Sequence, residues 1–214
     1  MDVEMRIGIR QQNFSLIELL VVMAVFMFLV SLVNPALQKT IQHSLLVKCK
    51  SNLKAVYASI LLYTEDNRGV CPGPSWDGQV ARIYGSKNQI AEFIAPYLKV
   101  NIAENGDFYT AAMVCPSNKE IITNRPYFNR QNFLTFSIDD FGRPFGRPEP
   151  SLSSADPKLF TQVPNPMSNI VLMEADYKNY PHSGQAAMPA LPVHFNTTRN
   201  VLYFDGHLDQ ELGL

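Results

Sequence analysis

The residues best suited to chemistry lie late in the chain. His182, His194 and His207 are interspersed with Glu174, Asp176 and Asp205, the ingredients of a metal or acid/base site. Their spacing matches no motif with a mechanism, such as H-E-x-x-H on a helix. A structural role is therefore expected: His194 and Asp205 on neighbouring strands would hydrogen-bond and clasp the tail, with His207 a solvent-facing turn residue. Metal binding is the alternative. Asp139-Asp140 and the Glu174/Asp176 pair offer hard oxygens that could suit calcium. No Ser/His/Asp constellation, Gly-rich phosphate loop or aromatic-basic platform is visible, so neither an enzyme nor a nucleic-acid binder is expected. The single tryptophan, Trp76 in "GPSWDG", could pack locally or touch a carbohydrate.

Cys49, Cys71 and Cys115 make an odd count with no C-x-x-C pair, which excludes a disulfide scaffold and a zinc knuckle. In an oxidising compartment one disulfide and one free thiol is the simplest arrangement. Cys71 and Cys115, each followed by proline, are the preferred pair; three unpaired thiols are the alternative.

A fourth chemical oddity is Glu18. It stands in "NFSLIELLVVMAVFMFLVSLVNPALQ", where Leu19 to Val33 contains Ser31 as its only polar residue. A carboxylate at the centre of a membrane helix costs roughly 2.5–3.5 kcal/mol even on the lenient insertion scale. Either the run is not in a membrane or Glu18 has a partner there. Phe14 to Leu37 would span about 36 Å as a helix, enough for a hydrocarbon core of about 30 Å. A signal peptide is the competitor, although "SLVNPALQ" is a poor cleavage site. A buried core helix comes third, because Val21 to Leu32 is apolar on every face.

The elements that must position these groups divide the chain of 214 residues in two. Charge is nearly balanced, 18 Lys+Arg against 19 Asp+Glu, and the hydrophobic fraction of 46% excludes disorder. Pro35 is the only proline before "EDNRGVCPGP", after which prolines, glycines and aromatics accumulate. Leu37, Ile41, Leu45, Cys49, Leu53, Val56, Ile60 and Tyr63 form one stripe at helical spacing. The helix should therefore continue to residue 68, kinked or locally melted at Asn34-Pro35, with Asn67 or Gly69 left-handed at its end. Beyond it "NFLTFSID" and "NIVLMEAD" read as strands, "IAEFIAPYL" as a short helix and "FGRPFGRPEP" as a loop. "NVLYF" and "HLDQ" read as a hairpin about Asp205-Gly206, where Asp-Gly favours a type I′ turn. The fold class is α+β: a long N-terminal helix packed on a small antiparallel sheet with long loops.

With Phe14-Ser15-Leu16-Ile17-Glu18 and Pro35 in place, the N-terminus resembles type IV pilins and type II secretion pseudopilins. The resemblance implies a leader of residues 1–13, cleavage between Asn13 and Phe14 by prepilin peptidase, and methylation of the new amine. Asn13 departs from the small residue usual before the cut. It implies a membrane and assembly segment over 14–37, an amphipathic helix over 38–68 and an extracytoplasmic domain over 69–214. In a filament the Phe14 amine would pair with Glu18 of a neighbouring subunit, each charge relieving the other. The partners implied are copies of the chain or related subunits, the peptidase, inner-membrane assembly machinery and the membrane; no cofactor is implied, though some relatives bind calcium.

"CKSNLKAVYASILLYTEDNRGVCP" resembles a bacterial pseudopilin-like group whose chains commonly end in His, nine residues, then Asp-Gly-His. Here His194 and Asp205-Gly206-His207 enclose ten. A single-pass inner-membrane protein with its N-terminus cytoplasmic follows from the resemblance. Lys39, Lys48, Lys50 and Lys54 downstream favour the opposite orientation by the positive-inside rule. A secreted or anchored binding protein, using this N-terminus only for targeting, remains the alternative function.

Overall fold

The computed structural model describes residues 15–81, 83, 88–102, 108–117, 133–135, 142–149, 154–176, 178–179 and 189–213. The chain divides into two compact units, one ending at Ile41 and one running Gln42–Leu214. Helix α1, Leu16–Asp66, supplies the described part of the first and the opening of the second.

In the first unit every residue from Leu16 to Val33 is exposed, including Phe26, Phe28 and Leu32. So continuous an apolar surface on all faces fits a lipid environment rather than a folded core. The helix is long and apolar enough to cross a membrane. Its helical assignment continues through Pro35, so the expected local melting at Asn34-Pro35 is not observed. A short hydroxyl bond on each side, Ser31 Oγ to Phe28 O at 2.6 Å and Thr40 Oγ1 to Ala36 O at 3.0 Å, stays within the helix.

In the second unit the stripe on α1 begins later than its periodicity suggests. Leu37 and Ile41 are exposed, whereas Leu46, Cys49, Leu53, Val56 and Ile60 are buried. Full burial of a Leu, Val or Ile side chain contributes roughly 1.5–3 kcal/mol each. The helix ends at Asp66, where Gly69 N bonds Thr64 O and both Arg68 and Gly69 have positive φ. Asn67 instead turns its amide back onto Tyr63 O at 2.8 Å.

Against this stripe lies a five-stranded antiparallel sheet of order β1-β4-β5-β6-β7. Its strands are β1 Gly78–Gln79, β4 Phe133–Thr135, β5 Ile170–Glu174, β6 Thr198–Tyr203 and β7 Leu208–Leu212. Strands β2 Asn101–Ile102 and β3 Phe108–Tyr109 form a separate pair. Short helix α2, Ile90–Ile94, passes into a 3₁₀ turn at Ala95–Tyr97, where Pro96 cannot donate to a further α turn. Leu53, Val56 and Ile60 meet Ile90, Ile94, Met113, Leu172, Leu202 and Phe204 in one core. The architecture is α+β.

The β6–β7 hairpin forms where expected, with Leu202 opposite Leu208. Its turn differs. Gly206 N bonds Tyr203 O, and only Gly206, at φ +86°, is left-handed. This is a three-residue connection with a glycine bulge rather than the two-residue type I′ turn.

Candidate functional site

Two parts of the domain carry the residues singled out in the tail. The first is a buried polar cluster. Glu174 ends β5, and Asn200 lies on the neighbouring strand β6. His194 enters from the turn before β6, held by the His194–Thr198 bridge. Phe195 and Asn196 within that turn have φ of 54° and 59°, unusual for residues with a side chain, and so fix the approach of His194. Glu174 Oε1 lies 3.0 Å from His194 Nε2 and 3.1 Å from Asn200 Nδ2, and its Oε2 accepts the Asn200 backbone N–H at 2.7 Å. His194 Nδ1 faces Ser117 Oγ at 3.2 Å. All three core members are at most 2% exposed. A carboxylate beside an imidazole can exchange a proton, but these two are sealed from solvent and leave no open position for a substrate.

Two residues beyond the end of β5, Asp176 is buried and pairs with Arg199, Nε to Oδ2 at 2.9 Å. Its Oδ1 also accepts the backbone N–H groups of Lys178 and Asn179. Asp176 thus faces backbone N–H groups through Oδ1 and the Arg199 guanidinium through Oδ2. Asp139-Asp140 and His182 lie outside the described residues.

Beside the cluster, α1 is fastened to the domain by a disulfide between Cys49 and Cys115. Cys71 is the free, buried thiol. The expected Cys71–Cys115 pairing is thereby corrected. Cys49 belongs to the buried stripe of α1, which turns its sulfur toward the loop carrying Cys115, while Cys71 is enclosed in the hydrophobic core. Burial pushes the Cys71 thiol up to about 12.

The second part is the hairpin tip, which clasps α1. Tyr57 Oη donates to Phe204 O at 2.7 Å and Lys54 Nζ to Gly206 O. A Cβ on Gly206 would stand 2.6 Å from the Tyr57 ring. Asp205 does not reach His194, as the sequence suggests it could. Its Oδ1 accepts the His207 backbone N–H at 3.0 Å and faces His207 Nδ1, and that backbone bond holds its carboxyl below the usual range. His207 stacks on Tyr203 with ring centroids 4.1 Å apart.

In the first unit the start of α1 is a reciprocal cap. The Ser15 N–H donates to Glu18 Oε2 at 2.9 Å, and the Ile17 N–H reaches Ser15 Oγ at 3.4 Å. Ser15-x-x-Glu18 is thus a capping box, with a negative charge at the positive end of the helix dipole. The family model for the prokaryotic N-terminal methylation motif matches residues 10–34, which include this cap and the exposed apolar run. The N-terminus is the prepilin motif of type IV pilins and pseudopilins.

No curated protein and no solved structure matches the chain. The prepilin motif supports a pilin-like substrate of prepilin peptidase, and with the apolar helix it fits a single-pass membrane anchor. Asn13 and Phe14, flanking the expected cut, lie outside the described residues. Sequence reasoning missed Asn200, Arg199 and Ser117 as partners of the tail residues. Glu174 did carry a signal, since like Glu18 it is a carboxylate set in an apolar run.

Proposed function

We propose that the chain is a structural subunit of a membrane-anchored, pilin-like filament of the type II secretion kind. Prepilin peptidase cuts between Asn13 and Phe14. Residues 14–37 lie in the inner membrane, 38–68 form the amphipathic half of the helix, and 69–214 form a periplasmic domain. Subunits associate through their N-terminal helices, with Glu18 of one receiving the Phe14 amine of another. The observation that carries this reading is the methylation motif at residues 10–34 joined to a helix whose apolar surface is exposed from Leu16 to Val33. The Cys49–Cys115 disulfide supports the orientation, because such bonds persist on the oxidising side of the membrane and not in the cytoplasm.

The test is helix–helix cross-linking in a strain that supplies the filament machinery. A cysteine is placed within Val21–Val33, and adducts are compared for Glu18 and Glu18→Ala chains. The reading predicts a ladder for the first, and normal membrane insertion with loss of the ladder for the second. Equal ladders, or none from the parent chain, would contradict it.

A further inference from the structure

Four ligand-type side chains converge on one point inside the domain. The Sγ atoms of Cys49 and Cys115, a carboxylate oxygen of Glu174 and a ring nitrogen of His194 all lie within 4.8 Å of one another, and all four residues are buried. They come from α1, the loop after the 3₁₀ turn at Ala111–Met113, the end of β5 and the turn before β6. Of the four, the Glu174 carboxylate and the His194 ring are the costly groups to bury, and both are held against the two sulfurs.

The disulfide and the Glu174–His194 contact explain part of the arrangement but not all of it. His194 Nε2 faces Glu174 Oε1 at 3.0 Å, Asn200 Nδ2 at 2.9 Å and Cys115 Sγ at 3.8 Å. A neutral ring nitrogen either donates or accepts, so it cannot satisfy an amide donor and a carboxylate acceptor together. Asn200 Oδ1, beside them, is buried without a protein partner.

The outer contacts are those of metal ligands. A ligating imidazole gives its other nitrogen to a hydrogen-bond partner, and a ligating carboxylate is steadied through its second oxygen. His194 Nδ1 meets Ser117 Oγ and Glu174 Oε2 holds the Asn200 N–H, while Nε2 faces Cys115 Sγ and Oε1 also takes the Asn200 side-chain amide. Tetrahedral zinc with ordinary bond lengths needs a sulfur–nitrogen edge of about 3.6 Å and an oxygen–nitrogen edge of about 3.4 Å. The corresponding separations here are 3.8 Å and 3.0 Å, and the sulfur–sulfur edge, closed by the disulfide in this structure, opens only on reduction.

We propose that, when Cys49 and Cys115 are reduced, these two thiolates with His194 and Glu174 hold one Zn²⁺ in a closed four-coordinate site. Thiolate and imidazole donors select zinc over calcium or magnesium, and four protein ligands leave no open position, as in structural sites. Helix α1 is then tied to the domain in either of two ways, by the S–S bond or through the metal. Reduction takes two electrons and two protons from a dithiol, which itself becomes a disulfide. Zinc binding then displaces both thiol protons into solvent.

The test uses the full chain in detergent micelles. The protein is reduced with excess dithiol, freed of it anaerobically, exposed to Zn²⁺ or Co²⁺, and compared with the oxidised protein by elemental analysis and absorption. The expected result is one zinc per reduced chain and none per oxidised chain, with cobalt giving a near-ultraviolet thiolate band and strong visible bands. Cys71→Ala keeps full loading, Cys115→Ser abolishes it, and Glu174→Gln weakens it by about 10-fold or more. A reduced chain that takes up no zinc, whether folded or unfolded, overturns the proposal. So does loading that survives Cys115→Ser or that requires Cys71. Because Glu174→Gln and Cys71→Ala leave the disulfide intact in the oxidised form, their folding can be checked before reduction.

Discussion

Glu18 Oε2 accepts the backbone N–H of Ser15 at 2.9 Å, so the one carboxylate in the apolar run caps the helix that contains it. The charge is offset by orphan donors and by the helix dipole before any second subunit arrives. The capping box therefore answers half of why a charge is tolerated there, and the proposed charge pairing between subunits would answer the other half.

The two roles separate in one substitution. Glutamine also serves at the third position of a capping box, but it carries no charge. Glu18→Gln should leave membrane insertion and helicity unchanged and still abolish inter-subunit cross-linking. If Glu18→Gln cross-links as well as the parent, capping alone accounts for the residue and the pairing role fails.

The cysteine assignment makes a mapping experiment decisive. Non-reducing peptide mass analysis should find Cys49 joined to Cys115, closing a sequence separation of 66 and contributing about 4 kcal/mol by the chain-entropy relation. Cys71 should resist alkylation in the native protein, being both enclosed and held as the thiol, and should react at once on unfolding without reductant. Because its folded pKa is raised, the stability it contributes is complete below the unfolded value of about 8.5 and falls as pH climbs toward 12. A Cys71–Cys115 peptide, or rapid native alkylation, would reject this assignment.

Gly206 combines a left-handed backbone with close contact to Tyr57. Gly206→Ala should destabilise the domain by roughly 2–3 kcal/mol in thermal or urea unfolding, from backbone strain plus overpacking. Tyr57→Phe, which loses the bond to Phe204 O but keeps the ring, should cost only about 1 kcal/mol. Equal effects would mean that the hydrogen bond rather than the packed ring fastens the hairpin tip.

Asp205 gives the acid side of the stability curve a definite sign. Its folded pKa is lowered, chiefly by the His207 backbone N–H, so its contribution is present above the ordinary carboxylate value and lost as pH falls through the depressed one. Unfolding midpoints measured from pH 6 to pH 2 should fall less steeply for Asp205→Asn than for the parent. Parallel curves would show that Asp205 adds no pH-dependent stability.

Much of this fold was legible in the sequence because its signals are local. The stripe from Cys49 to Ile60, the Asp-Gly hairpin and the strand ending at Glu174 each follow from residues a few positions apart. Ser15-x-x-Glu18 is equally local, but a carboxylate in an apolar run points to a charged partner before it points to the backbone N–H three residues earlier. The cysteine pair and the Glu174–His194–Asn200 contacts depended on how α1 turns and which strands become neighbours, and no spacing encodes that. Asp205 lies at the tip of the hairpin while His194 precedes its first strand, so the two residues that frame the tail motif do not meet.

Entry of this N-terminus into a filament pathway would leave its mark on the mature end of the chain. The direct measurement is the intact mass and N-terminal sequence of the chain extracted from membranes, made alongside a prepilin peptidase. A mature chain beginning at N-methylated Phe14, with Asn13 accepted at the cut, is the expected result. A chain beginning beyond Ala36, as after a signal peptide, or one left uncut and unmethylated, would contradict it.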